Sequence, residues 1–560
     1  MLKNMSRLIV KNGLVFDPIN NINGENKDIL IEDSKIVEKF STENEVKEID
    51  ANGKTVIPGA IDIHAHIAAE QVNLIRLLGT NNTLFQEKWK GLILENIARD
   101  YISNGYTFIV ESNVFPSLAK HTIFNFKHIP VLDKAMLLNV SNMWPLEYEF
   151  QKNKYDEIAV FLSNLLLLTK GFGLKVYNPF ESEIWNLKEH RKDVSVKGKL
   201  YNFSALDVYE NLIKANEYLG LPHSIHAHIE GYEQLEAKNN LSLVLDKIKS
   251  IQLNSNLKGK LKIKRSQIFH LAHASAYNID GNNSELIKAL NSKENVDLDL
   301  GFLGFDSINP LVTSDRRLIN FLTKNNSRNQ KLITSAVENE GDTFAILRIF
   351  DKKNLNDCFL WANALDLSLN VKNKWQLQFS INYPNYADIN DVPEIAAHLM
   401  SSKARREFIE DLSQEFLKEN NLTNNDQVLT FKDFVIITRA SPAKSLGLGD
   451  IKGNLGINSD ADINILDIDI NEMDVSKNYE QLKNSLSNIE YVIKSGKIVK
   501  NKEKIDLNCQ GKIFWSQGFV EKEDKSVIMK SKVDFYKKYG SIFYESLGVS
   551  VEDNYLREIF

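Results

Sequence analysis

The stretch Pro58–His66, PGAIDIHAH, decides how the rest of the chain is read. A Pro-Gly turn opens an apolar run that ends on His64 and His66, two residues apart. In a strand, residues i and i+2 point to one face, so the two imidazoles face together and can grip one metal ion. A lone His-x-His is more often a pair satisfied by ordinary hydrogen bonds; placement at the end of an apolar strand after a tight turn favours ligands.

Working outward, similar apolar runs alternate with long helical patterns. After GAIDIHAH come TFIVESNV (107–114), GLKVYN (173–178), SIHAHI (224–229), IFHLAHA (268–274), VDLDLGF (296–302), KLITSAV (331–337) and WQLQFSI (375–381). Strand and helix in alternation predict parallel βαβ units, and eight such runs predict an α/β fold of the (β/α)8 TIM-like barrel kind, with its active site at the C-terminal ends of the strands. Six of the eleven histidines lie in or at the ends of three of these runs.

The flanks read differently. Arg7–Val15, Asp28–Ile31, Lys35–Val37 and Lys54–Ile57 are short strand patterns broken by Asn-Gly and polar turns. Ala461–Asp467 and Ile489–Val499 are strands again, and IEYVIKSGKIVKN (489–501) repeats the strand, Gly turn, strand pattern of RLIVKNGLVFD (7–17). The expected organisation is a small β-sandwich from both chain ends (1–57 and 441–505), a barrel over 58–440, and an accessory helical segment over 506–560.

Charge and cysteine content narrow the chemistry. With 68 basic and 74 acidic side chains and no long basic run, neither nucleic acid nor an anionic membrane is an expected partner. The opening MLKNMSRLIVKNGLVFD has no apolar core with a small-residue cleavage site, and no stretch approaches a bilayer span, so a cytoplasmic location is expected. Only Cys358 and Cys509 occur, far apart, so any metal must be held without thiolates.

Three further runs carry chemistry. Lys175 sits inside the apolar strand GLKVYN, where an ammonium is costly unless compensated. It either reaches a neighbouring acid or solvent, or is carboxylated by carbon dioxide into an anionic ligand able to bridge two metals. In PHSIHAHIE, His226 and His228 share parity and both can face the barrel interior, with one of them a ligand. In IFHLAHAS, His270 and His273 are three apart and cannot share a face; His273, nearer the strand end, is the candidate ligand and His270 reads as a core residue. Hydrolysis of an amide at such a site also needs a base, and the run KWQLQFSINYPN offers Asn382, a neutral amide, where a carboxylate would stand.

In this order, the pieces resemble the alpha subunit of formylmethanofuran dehydrogenase and of the bacterial formyltransferase/hydrolase complex, within the amidohydrolase superfamily. The resemblance spans nearly the whole chain. It runs through PGAIDIHAHIAAEQVNLIRLL, GLKVYNP, ALDVYENLIKANEYLGLPHSIHAH, VDLDLGFLGFD, WQLQFSINYPN with VPEIAAHLMSSKAR, and ITRASPAKSLGLGDIKGNLGINSDADINI. It implies a centre of two zinc ions held by His64, His66, a carboxylated Lys175, His228 and His273, with His226 as a further candidate, and Asn73 and Arg76 as substrate contacts. It further implies hydrolysis of an N-formyl amide on a methanofuran- or methylofuran-like C1 carrier to formate and amine, with other subunits of such a complex as partners.

The sequence departs from the family at three places. The family's Asp-His-Pro-Asn-Gly signature is Asn382-Tyr383-Pro384-Asn385-Tyr386 here, the loop after His228 is IEGYEQLE in place of an Asn-rich segment, and the segment after His273 is shortened. Two other readings therefore stand beside the hydrolase: a scaffold subunit whose partners do the chemistry, and a cyclic-amide hydrolase of the dihydroorotase or hydantoinase type. A barrel mouth plugged by Tyr383 or Tyr386 would exclude the hydrolytic reading.

Overall fold

The computed structural model describes residues 6–42, 45–69, 72, 94–179, 193–199, 202–251, 265–292, 295–306, 308–325, 333–337, 340–520 and 525–559. Asn73 and Arg76 lie outside these residues.

Eight parallel strands form the barrel: β1 (Ala60–Ala65), β2 (Tyr106–Val114), β3 (Asp133–Asn139), β4 (Gly173–Tyr177), β5 (Ile225–His228), β6 (Phe269–Leu271), β7 (Val296–Asp299) and β8 (Leu377–Gln378). Each pairs with the next in sequence except across the closure, where Ala65 bridges to Tyr383 beyond the end of β8. Helices cover the outside. One of them, Ala205–Leu219, starts on a Ser204/Asp207 capping box and stops at Gly220 in the left-handed region, the sequence signals that fix its two ends.

Two of the expected runs are placed differently. KLITSAV contributes Ile333–Val337 to a separate three-stranded antiparallel sheet with Ile308–Thr313 and Gly341–Ile349, inserted between β7 and β8. The eighth barrel strand is instead Asp133–Asn139, whose run DKAMLLN begins on two charged residues and so lacks the look of a buried strand. Those two charges are neutralised by tertiary partners: Asp133 by Lys452 and Lys494, and Lys134 by the carbonyl of Ile129. The inserted sheet lies against the C-terminal mouth, where Val312 and Ala345 pack on Ala69 and Val72.

The expected meeting of the chain ends holds. Thr55–Pro58 pairs antiparallel with Ile463–Leu466 in one nine-stranded sheet that has its own core of Val10, Ile31, Val56, Ile463 and Ile493, among others. The tail is more than a helical accessory. It carries the helix Lys525–Tyr539, and Ile513–Trp515 adds parallel to the start of β3, with Leu556–Glu558 beside it. No helix among the described residues is long and apolar enough to cross a membrane.

The barrel has two unlike halves. Ile61, Ile63, Phe108, Val110, Ala135 and Leu137 of β1 to β3 join one apolar cluster with Ala443, Leu446, Leu448 and Phe514. Across β4 to β7, Lys175, His226, His270 and Asp297 stand in mutual register, a polar layer where a barrel is ordinarily filled by branched apolar side chains.

Candidate metal centre

His64 reaches the interior through an irregularity of its strand. Asp62 pairs with Ile109 and Ala65 with Glu111, so three steps on β1 oppose two on β2. A bulge of this kind re-aims a side chain. Asp62, which shares parity with His64, accepts from Tyr101 on the outer helix Leu94–Ser103, whereas the His64 ring lies 4.0 Å from that of His273 and 5.3 Å from that of His228. Gly59 permits the start of β1, because a Cβ there would meet Thr107 Oγ1 at 2.4 Å.

Four of the residues singled out from the sequence present unpartnered atoms in the same place. His64 Nε2, His228 Nδ1, His273 Nε2 and Lys175 Nζ are buried without a hydrogen-bond partner. Ring nitrogens of His64, His228 and His273 lie within 4.8 Å of one another. Buried polar atoms are almost always paired, so lone pairs left open together are a donor set suited to a divalent ion such as zinc. His66 stands beside them, its ring 5.5 Å from His64 and its Nδ1 3.4 Å from Glu111 Oε1.

Asp299, at the C-terminal end of β7, organises these rings and was not singled out from the sequence. Its Oδ2 lies 3.2 Å from His64 Nδ1 and 3.2 Å from His270 Nε2, and its Oδ1 2.9 Å from His273 Nδ1; Ser380 also donates to Oδ1. Burial alone would raise its carboxyl, but the surrounding His273 and His64 outweigh this and hold it well below the ordinary range, as an anion. The signal was legible: Asp297 and Asp299 share one parity in an apolar strand, as the histidines do.

Burial pushes Lys175 well below the ordinary lysine value, Asp299 only partly opposing it, so its amine is neutral. Burial likewise pushes His64, His226 and His228 well below theirs and His223 down to about 3. His270 moves the other way. Burial opposes its charge, but Asp297 and Asp299 outweigh that and raise it to about 9, and both its nitrogens are engaged by those carboxylates. His226 has both nitrogens engaged too, one with His64 at 2.8 Å and one with His223 at 3.1 Å.

The substituted signature lies at the rim. Asn382 follows β8 with φ 45°, and its Oδ1 accepts from Asn385 Nδ2. Tyr383 does not turn its ring into the centre; it stacks edge-on against Tyr101, while its carbonyl accepts from the backbone of His66. The Tyr386 ring stands 5.4 Å from that of His273 as a wall, its hydroxyl donating to Glu233. Asn385 exchanges two hydrogen bonds with the backbone of Val312, tying this loop to the inserted sheet. Tyr177 and Tyr232, stacked near His228, share hydrogen bonds with Thr313 of the same sheet.

Comparison with known proteins agrees with this architecture. Residues 380–500 match the Amidohydrolase family. The chain is 28% identical over 564 residues to Protein FwdA of Methanocaldococcus jannaschii, covering 97% of each. It is 24% identical over 493 residues to the Fhc alpha (FhcA) component of the formyltransferase/hydrolase complex of Methylorubrum extorquens, covering 84% of this chain and 86% of the relative. Its fold superimposes on a chain of the crystal structure of the formyltransferase/hydrolase complex (FhcABCD) from Methylorubrum extorquens in complex with methylofuran, with TM-score 0.85, 21% identity and 99% of both chains covered.

Proposed function

We propose, for a chain that is a homologue of FwdA and of FhcA on an amidohydrolase barrel, hydrolysis of an N-formyl amide on a C1 carrier to formate and amine. The chain acts as one subunit of a formyltransferase/hydrolase-type complex, whose other subunits and whose methylofuran-like carrier are its partners. The observation that carries this reading is the convergence of three unpartnered imidazole nitrogens and one neutral lysine at the barrel mouth.

His64, His66, His228 and His273 would hold two zinc ions, which when bound polarise the formyl carbonyl and make water a better nucleophile. The neutral amine of Lys175 adds to carbon dioxide, forming an N–C bond and releasing one proton, and so becomes an anionic ligand with two oxygens. Asp299 holds the His64 and His273 rings with their other nitrogens directed at the centre, the orientation that a carboxylate behind an imidazole provides.

The proton accepted from the attacking water has to go to a group other than Asn382, which as a neutral amide cannot take it. Asp299 has both oxygens engaged. Among the described residues beside the histidines, Glu111 has one oxygen committed to the backbone N–H groups of Ile67, Ala68 and Ala69 and one, Oε1, without a hydrogen-bond donor. We assign Oε1 as the acceptor. Loss of the ordinary base costs about 100- to 10,000-fold in rate, so turnover is slow.

Asn382 itself favours a second reading, a scaffold subunit that keeps the barrel while partners do the chemistry. Formate release from a formylated furfurylamine by the wild type and by Asn382→Asp separates the two. A rise in the variant supports the hydrolase; no release from either protein, while both still assemble with the partner subunits, leaves the scaffold. Turnover of dihydroorotate would instead select the cyclic-amide reading.

A further inference from the structure

Behind His64 runs a single file of hydrogen bonds to the opposite end of the barrel. His64 Nδ1 meets His226 Nε2 at 2.8 Å, His226 Nδ1 meets His223 Nε2 at 3.1 Å, and His223 Nδ1 meets the carbonyl oxygen of Ser445 at 2.8 Å. All three rings are fully buried. Ser445 closes the short helix Ser441–Ser445, whose last carbonyls have no partner within the helix and so remain open to an outside donor.

The direction of this file is fixed at its far end. A carbonyl oxygen can only accept, so His223 carries its hydrogen on Nδ1, and in a neutral ring Nε2 is then a lone pair. His226 must therefore donate to it from Nδ1, which leaves a lone pair on His226 Nε2. His64 must in turn donate from Nδ1, towards both His226 Nε2 and Asp299 Oδ2. Nε2 of His64 is left as a lone pair, and it is this atom that is buried without a partner at the centre. The reverse arrangement would set the lone pair of His223 Nδ1 against the Ser445 oxygen.

We propose that His223 and His226 are positioning residues: the Ser445 carbonyl, acting through them, locks His64 in the tautomer whose Nε2 can bind metal. The inference rests on the metal-binding reading above for its purpose, though the tautomer order itself does not depend on it. It gives His226 a place behind the centre rather than in it.

The test uses the full-length protein labelled with 15N-histidine and freed of metal, with the His64 signals assigned by their loss in His64→Asn. The expected spectrum shows His64 protonated at Nδ1; protonation at Nε2 overturns the proposal. His223→Leu removes the acceptor and frees His226 to turn its hydrogen towards His64, whereas His223→Gln keeps both an acceptor for His226 and a donor for Ser445. Zinc affinity, read by competition with a chromophoric chelator, should fall 10- to 100-fold in His223→Leu and recover in His223→Gln. Wild-type tautomer and affinity in His223→Leu would sink the relay and leave the metal centre standing. A wild-type protein with the expected tautomer and no zinc binding would do the opposite.

Discussion

His273 donates twice to one oxygen of Asp299, from its backbone N–H at 3.1 Å and from its ring Nδ1 at 2.9 Å. The pairing holds a residue with φ 49°, an uncommon conformation for histidine, at the strand end, and Gly301 leaves the space for it: a Cβ there would meet His273 Cβ at 3.0 Å in a backbone of φ 65°. One carboxylate thus fixes the backbone and the ring of the same ligand candidate.

Asp299→Asn should therefore weaken zinc binding by about 10- to 100-fold, the usual cost of removing an orienting partner behind a ligand, because an amide cannot accept at both oxygens from His64, His270 and His273. Metal titration of the purified variant checks this, with circular dichroism to verify folding. Unchanged affinity would show that the three rings need no common anchor.

Lys175→Ala should lose metal and activity together, and short carboxylic acids such as acetate or propionate should restore part of both, since they can place an anion where the lysine derivative stood. Restored formate release that grows with acid concentration is the expected curve. If Lys175→Arg, a permanent cation, retains wild-type metal content, a carboxylated lysine has no part in the centre.

Glu111→Gln keeps an oxygen for the Ile67–Ala69 N–H groups but cannot accept a proton. Residual hydrolysis should drop to background with the fold intact, and Asn382→Asp in the same protein should bring it back. A Glu111→Gln protein as active as the wild type would remove Glu111 from the reaction.

Far from this centre, Lys452 lies 2.6 Å from Asp462, 2.9 Å from Asp460 and also against Asp133, while Lys494 reaches Asp133 at 2.8 Å. This buried network joins β3 to the terminal sheet. Lys452→Met leaves carboxylates buried without their cation and should cost about 3–5 kcal/mol, seen as a lower unfolding temperature. An unfolding temperature equal to that of the wild type would mean that Lys494 alone suffices.

The same network sets an acid limit. Burial alone would raise Asp133 and Asp460, but Lys452 outweighs it, with Lys494 on the former and Arg557 on the latter, and holds both below their ordinary 3.8. A depressed carboxyl contributes stability that is full above its unfolded value and lost as pH falls towards the folded one. Thermal unfolding should thus be insensitive to these groups above about pH 5 and fall progressively below about pH 4, with a shallower fall in Asp133→Asn. An equally steep fall in that variant would place the acid sensitivity elsewhere.

The alternation of apolar runs and helices was enough to specify a parallel barrel, because each buried strand needs a continuous apolar segment and each crossover needs a helix. The spacing of His64, His228 and His273 and the burial of Lys175 were legible for the same local reason, since strand parity follows from the backbone alone. Tertiary structure decided the rest. Asp133–Asn139 became a barrel strand only because distant lysines neutralise its first residue, and Ile333–Val337 left the barrel because an antiparallel partner claimed it. Asp62 and His64, alike in parity, parted at a bulge. Which nitrogen of His64 faces the centre depends on a carbonyl at Ser445, 381 positions along the chain and brought near only by folding. Periodicity is a property of neighbours in sequence; partners for charges and hydrogen bonds are neighbours in space.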